Sequence, residues 1–336
     1  MNYIGSKYSL LDFLQTSINE TAKCSPDSSS VFADLFAGTG VVGLTYKQHG
    51  YTVIANDIQK YSYVINKHYI ENSDDLNCKD LQNYLNNLSG IEGFIYKNYC
   101  YGSGSNRMYF SDENGMLCDA IRTELENLLV KKEINSKIYT YFLASLINSI
   151  DKYANTASVY GAFLKHLKKS AQKKFQLELL PIVHGAIGKV YSEDINQLVR
   201  NPEIKGDILY LDPPYNSRQY YTNYHILETI ARYDNPALRC LTGLREDKSQ
   251  HSYYCSRNKV AELFSDLIAN AKFKYIFLSY NNEGLMSFDT IQKIMKKHGK
   301  YSVKMTTYKR FKADTSKNRN ILANETTEYL HCLIKE

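Results

Sequence analysis

Gly206-Asp207-Ile208-Leu209-Tyr210-Leu211-Asp212-Pro213-Pro214-Tyr215-Asn216 decides how this chain is read. Ile208 to Leu211 form a short apolar run of the kind that makes a buried strand, and the run stops at an acid followed by two prolines and an aromatic ring. Neither proline can donate to a sheet ladder, so the strand ends at Leu211 and the Asp212 carboxylate is presented on a rigid loop. The plainest alternative is a strand closed by a Pro-Pro turn with Tyr215 packed beneath it. The rest of the chain weighs against that alternative.

Upstream, Val31-Phe32-Ala33-Asp34-Leu35-Phe36 reads as a strand that runs into Ala37-Gly38-Thr39-Gly40 and then an apolar helix with Val41, Val42, Leu44 and Tyr46. Glycines at such a turn let the backbone approach a ligand closely. Asp57, with its neighbour Ile58, follows a second strand, Thr52 to Asn56. In strand, glycine turn, helix, strand, acid units the terminal carboxylate commonly binds a ribose, which favours an adenosine-type cofactor. The glycine pattern is not Gly-x-Gly-x-x-Gly, so a nicotinamide dinucleotide is disfavoured. Before all this, Tyr3-Ile4-Gly5-Ser6-Lys7 leads into an amphipathic helix with Leu10, Leu11, Leu14 and Ile18. Ser6 is its expected cap, and Lys7 sits where an anion can meet a helix N-terminus.

After a helix through Tyr63–Tyr69 the alternation of strand and helix stops for more than a hundred residues. The expected organisation is a catalytic domain made of residues 1–71 and 186–336, with 72–185 inserted as a largely helical region that recognises its target. Within the insertion, 90–115 reads as a loop rich in Tyr, Gly and Asn, followed by helices over 117–132 and 137–152. The alternation resumes at Ile187–Ile195, whose strand ends in the acids Glu193 and Asp194. Tyr224–Arg232 and Val260–Ala271 read as helices and Cys240–Ser256 as a polar loop. Tyr275–Tyr280 reads as another buried strand, Ile291–His298 as a helix, and Tyr301–Tyr308 with Glu325–Ile334 as a closing antiparallel pair.

The net charge of +6 is unevenly placed. Seven lysines face two acids between residues 151 and 190, and seven basic residues face only Asp314 between 300 and 319. Basic runs interleaved with Tyr, Ser and Asn point to a phosphate-backbone partner. No window of eighteen apolar residues occurs, and the N-terminus lacks the apolar core of a signal peptide. A soluble, cytoplasmic protein without membrane contact is therefore expected. The seven cysteines are scattered without a Cys-x-x-Cys pair, which reads as reduced thiols and no metal site.

These residues together resemble the DNA adenine-N6 methyltransferases, in the Dam- or D12-like arrangement. In that order the Tyr-Ile-Gly-Ser-Lys segment comes first, then Asp34-Leu35-Phe36-Ala37-Gly38-Thr39-Gly40, then an inserted recognition region, then Asp-Pro-Pro-Tyr. With Phe277-Leu278-Ser279-Tyr280-Asn281-Asn282-Glu283-Gly284, the resemblance is greatest to bacterial restriction–modification methylases of the FokI and NlaIII type. It implies a class I Rossmann-like α/β fold with a mostly parallel seven-stranded sheet. It also implies S-adenosylmethionine as donor, with S-adenosylhomocysteine as product. On this mapping Tyr3 and Lys7 hold the methionine end, and Asp34, Phe36, Gly38, Thr39 and Gly40 border the cofactor. Asp57 and Ile58 lie at the ribose, and Asp194 and Ile195 bracket the adenine ring.

The chemistry assigned to Asp212, Pro213, Pro214 and Tyr215 follows from the substrate. The adenine N6 lone pair is delocalised into the ring, so acceptors on its two hydrogens, the Asp212 carboxylate and the Pro213 carbonyl, are needed to aim it. Tyr215 offers a stacking face for a base flipped out of the duplex. Double-stranded DNA is the expected partner, with a restriction endonuclease cutting the same site as a second. Asn98, Asn106, Arg107, Lys165, Lys168, Arg245 and Arg257 are the candidate DNA contacts. Three alternatives stay open: a cytosine-N4 enzyme, an RNA adenine enzyme, and a non-catalytic DNA-binding subunit. Cytosine enzymes usually carry Ser in place of Asp212, and a binding subunit has no reason to keep Lys7, Gly38, Gly40, Asp57, Asp212 and Tyr215 together.

Overall fold

The computed structural model describes residues 6–23, 29–309 and 325–336. Tyr3 and the basic residues from Arg310 to Arg319 lie outside them, as does Cys24. In chain order the strands are β1 Val31–Asp34, β2 Thr52–Asn56, β3 Lys189–Tyr191, β4 Lys205–Leu211, β5 Leu238–Arg239, β6 Leu244–Arg245, β7 Lys272–Asn281, β8 Gly299–Lys309 and β9 Glu325–Lys335.

Seven of these strands make one sheet in the order β3-β2-β1-β4-β7-β9-β8. Strands β3, β2, β1, β4 and β7 run parallel, and β9 is antiparallel to both β7 and β8. This is the class I Rossmann-like methyltransferase sheet that the resemblance implied. Strand β4 lies at its centre, between β1 and β7, with Asp34 beside Tyr210 and Leu211 beside Leu278. That position explains why Ile208, Leu209, Tyr210 and Leu211 are all apolar or aromatic and all buried, since a central parallel strand has no solvent face. Leu209 and Leu211 pack with Ile276 and Leu278 of β7 and with Phe264 and Leu267 of the helix Val260–Asn270.

The chain divides into two compact units. One holds the described residues of Gly5–Ile58, Val183–Gln219 and His251–Glu336, including the whole seven-stranded sheet; the other holds Gln59–Ile182 and Tyr220–Gln250. The expected insertion, 72–185, differs from the second unit at both ends and omits its later segment. The reason is burial: Tyr61, Val64 and Ile65 on the helix Lys60–Glu71, and Ile226, Leu227 and Ile230 on the helix His225–Arg232, belong to the same apolar core as Leu125, Phe142 and Leu146.

Residues 90–115, expected as a loop, contain the helix Phe94–Tyr99 and fully buried Tyr99, Cys100, Tyr109 and Phe110. Asp119, on the helix Asp112–Val130, accepts the Ile95 and Tyr96 amides and so caps that short helix from a distant part of the chain. The polar stretch after Cys240 likewise contributes half of the antiparallel β5–β6 hairpin.

Gly206, the second residue of β4, lies where a side chain has no room: a Cβ there would lie 2.6 Å from the Val31 side chain on β1. Gly206→Ala is therefore expected to lower stability by about 1–3 kcal/mol through overpacking. Thermal unfolding of the variant measures it, and an unchanged melting temperature contradicts the close β1–β4 approach.

Candidate active site

Most residues of the candidate site sit where parallel strands end. Strands β1, β2, β3 and β4 stop at Asp34, Asn56, Tyr191 and Leu211, and the loops that follow carry the expected cofactor and catalytic residues. Ligands of open α/β sheets bind in this crevice beyond the carboxyl ends of the strands.

After β1 the chain turns through Gly38 and Gly40, both in the left-handed region (φ 53° and 79°), into the helix Val41–Gln48. A residue with a side chain would be strained at either position, which accounts for the two glycines. The turn is tied to β2 by the Ala37 amide, which donates to the Asn56 carbonyl (3.0 Å), and by the Gly38 amide, which donates to the Asp57 carboxylate (2.9 Å). Ile58 beside Asp57 is half-buried. Phe36 meets Tyr254 edge to face (5.0 Å between centroids), and Thr39 is half-buried.

Asp34 is buried at the head of this turn. Its Oδ2 accepts the Gly43 amide (3.3 Å), whereas Oδ1 is buried without a hydrogen-bond partner. Burial, then the nearby Asp212 charge, pushes the Asp34 carboxyl up to about 8. An acceptor left unsatisfied beside a glycine turn suits a positively charged donor on a ligand.

Beyond β3, Asp194 is exposed and caps the turn Ile195–Leu198 by accepting the Gln197 amide (3.1 Å), while Ile195 is buried beneath it. Asn56, which the motif reading passed over, holds this loop in place. Its side chain donates to the carbonyls of Leu35 (3.2 Å) and Glu193 (3.1 Å) and accepts the Glu193 amide (3.0 Å). A buried Asn closing an apolar strand was the available signal.

At the end of β4, Asp212 is not alone. Its Oδ1 lies 3.0 Å from Nζ of Lys7, and the same ammonium lies 3.0 Å from Oε1 of Glu328 on β9. The resemblance implied Lys7 at the methionine end of the cofactor; the structure places it, buried, between two acids. Lys7 arrives on the short 3-10 turn Lys7–Leu10, whose preceding Ser6 accepts the Tyr8 amide. Burial pushes the Asp212 carboxyl up to about 6 against the opposing pull of Lys7. Pro213 is buried, Pro214 and Tyr215 half-buried, and the Tyr215 carbonyl accepts the Leu285 amide (3.0 Å), so the loop is anchored at its far end.

Several candidate DNA contacts turn out to hold the protein together. Arg245 is buried and pairs through both guanidinium Nη atoms with Asp234 (2.8 and 2.7 Å), so it is not free to read a base. Arg107 donates to the carbonyls of Asn98, Cys240 and Leu241, clamping the tip of the β5–β6 hairpin. Asn98 donates back to the Phe94 carbonyl within its own helix, and Lys168 donates to the Thr156 carbonyl. Asn106, Lys165 and Arg257 are exposed. No cluster of three or more metal-ligating residues and no helix long and apolar enough to cross a membrane occurs among the described residues.

The sequence profile of the D12 class N6 adenine-specific DNA methyltransferases matches residues 3–302. The chain belongs to that family. It is 52% identical to the type II methyltransferase M.NlaIII of Neisseria lactamica, over 100% of this chain and 99% of the relative. It is 35% identical to M.CviAII of Paramecium bursaria Chlorella virus 1, over 98% and 97%. M.FokI of Planomicrobium okeanokoites is 39% identical over 100% of this chain, which spans 53% of that longer protein. Among solved structures, a SAM-dependent methyltransferase from Agrobacterium tumefaciens aligns over 98% of this chain and 62% of its own, at 11% identity and a TM-score of 0.36, a likeness too slight to add to the strand order.

The methyl donor of the D12 family is S-adenosylmethionine, and the residues present fit it. The glycine turn is held in a left-handed conformation, Asp57 and Asp194 follow the ends of successive strands, and the unpaired Asp34 oxygen matches the cofactor's ammonium.

A carboxyl that keeps its proton in the folded chain up to about pH 8 stabilises the fold fully only below the usual carboxylate range, and that contribution is lost as pH rises toward 8. Asp34→Asn removes the penalty. Without added cofactor, the melting temperature of the variant relative to the parent is expected to rise between about pH 5 and about pH 8. A difference that stays flat with pH contradicts the buried, unpaired carboxyl.

Proposed function

We propose that this protein transfers a methyl group from S-adenosylmethionine to N6 of an adenine within a specific site of double-stranded DNA, as the modification enzyme of a restriction–modification system. The observation that carries the reading is Asp212, a half-buried carboxylate braced by the buried Lys7 ammonium at the end of β4 and followed directly by Pro213 and Pro214.

When bound, S-adenosylmethionine supplies an electrophilic methyl group and departs as the neutral thioether S-adenosylhomocysteine. The protein's work is done on the adenine. Asp212 and the Pro213 carbonyl each accept one N6 hydrogen, which favours a pyramidal amine with its lone pair free of the ring. Tyr215 stacks on the base, and base–aromatic stacking is typically worth about 1–3 kcal/mol. An N6 inside a duplex is paired and stacked, so the adenine is flipped out for reaction, at a few kcal/mol. Asp212 takes the amine proton after the methylated nitrogen has become acidic. Asp34, Gly38, Gly40, Asp57, Asp194 and Ile195 border the cofactor.

Asn106, Lys165 and Arg257 remain as exposed DNA contacts, and the affinity that basic side chains of this kind supply falls as salt rises. A restriction endonuclease recognising the same site is the partner this role implies; M.NlaIII and M.FokI carry type II names.

Removing one oriented acceptor from a developing charge typically costs about 100–1,000-fold in rate. Asp212→Ala is expected to slow single-turnover methylation of unmethylated bacterial DNA by that factor while S-adenosylhomocysteine still binds in calorimetry. Near-parent turnover by a folded Asp212→Ala protein would remove Asp212 from the chemistry.

A further inference from the structure

Glu328 is the group in the site that the methylation chemistry leaves unused. It lies on β9, opposite Asn281 of β7 and Thr306 of β8, and its side chain is only 1% exposed. One oxygen, Oε1, takes both the Lys7 ammonium (3.0 Å) and the Ser279 hydroxyl (2.5 Å). Ser279 in turn stands on β7, one position past Leu278, the partner of Leu211; Asp212 is likewise one position past Leu211. Three adjacent strands thus bring Asp212, Ser279 and Glu328 to one place, and Lys7 joins them from the N-terminal turn.

A buried lysine needs one carboxylate to neutralise it, and Asp212 would suffice. A second carboxylate buried at the same distance adds negative charge to a desolvated site, which is unfavourable unless it performs a task. That task is visible in how Lys7 is shared. With Asp212 as its sole anion, the ammonium would draw on the electron pair that must instead accept an N6 hydrogen.

We propose that Glu328 is a positioning residue for methyl transfer: held by Ser279, it takes a share of the Lys7 ammonium and so leaves Asp212 its acceptor strength toward the substrate amine. This rests on the reading of Asp212 as the N6 acceptor. Among the described residues, the charged and titratable groups that act on the pair include Tyr210 on β4, Asp34 on β1, and Lys7 and Glu328 themselves. The Glu328 charge raises the affinity of Asp212 for a proton and Lys7 lowers it. Neutralising Glu328 therefore moves Asp212 toward a stronger acid and a weaker acceptor.

The test is the pH dependence of single-turnover methylation, read as N6-methyladenine in digests of unmethylated bacterial DNA, for the parent, Glu328→Gln, Glu328→Asp and Asp212→Asn. Glu328→Gln is expected to lower the plateau rate about tenfold and to move the acid limb down by about one pH unit, with binding of S-adenosylhomocysteine within about twofold of the parent. Glu328→Asp keeps the charge, and its acid limb is expected to stay at the parent position even where its rate falls; it also serves if the Gln variant does not fold.

An acid limb that stays in place in Glu328→Gln, or one that moves equally in Glu328→Asp, overturns the proposal and leaves Glu328 as packing. Full activity in Asp212→Asn instead overturns the underlying reading of Asp212. An inactive Asp212→Asn beside a parent-like Glu328→Gln defeats only the role of Glu328.

Discussion

The site depends on one buried ammonium. Lys7 lies 3.0 Å from each of two carboxylates, Asp212 and Glu328, and all three are largely withdrawn from water. Burial favours the protonated form of a carboxyl, and a protonated Asp212 is a weaker hydrogen-bond acceptor for an amine N–H than the carboxylate. Lys7 offsets that tendency, which is why Asp212 is held near 6 and Asp34, which has no such cation, rises to about 8. The difference assigns the two acids different work. In the proposed reading, Asp34 meets the charge of a ligand and Asp212 is readied by the protein itself.

The sheet order is what makes this arrangement reachable. Because β4 lies between β1 and β7, its last residue is bordered on one side by the glycine turn after β1 and on the other by Ser279, with β9 next beyond. The antiparallel placement of β9 between β7 and β8 brings a residue from the far end of the chain, Glu328, level with the ends of the parallel strands. Segments separated by 321 residues, Lys7 and Glu328, therefore share one hydrogen bond. The Pro-Pro pair then fixes the loop that no ladder can hold.

Much of this was legible in the amino-acid order. The apolar run at Ile208–Leu211, its abrupt end, the two glycines and the acid after each strand all have local causes, and the sheet followed from them. What was not legible depended on distant partners. Nothing near Phe94–Tyr99 announces a helix, since its cap is Asp119; nothing near Arg245 or Arg107 announces that Asp234 and the hairpin carbonyls will claim them. Exposed and buried arginines look alike in a sequence. Glu328 was missed for the same reason: one acid in an alternating strand looks solvent-facing until the neighbouring strands are known. The boundary of the inserted unit was misplaced because helices 60–71 and 225–232 bury their apolar faces in its core, a tertiary fact.

The central claim, that this site methylates the amino nitrogen of adenine in DNA, is tested most directly by the identity of the product. The protein is incubated with unmethylated bacterial DNA and S-adenosylmethionine carrying a trideuterated methyl group, and the DNA is digested to nucleosides for mass spectrometry. Trideuterated N6-methyl-2′-deoxyadenosine is the expected product. The label on cytosine N4, or no labelled nucleoside from folded protein that binds the cofactor, would contradict the assignment.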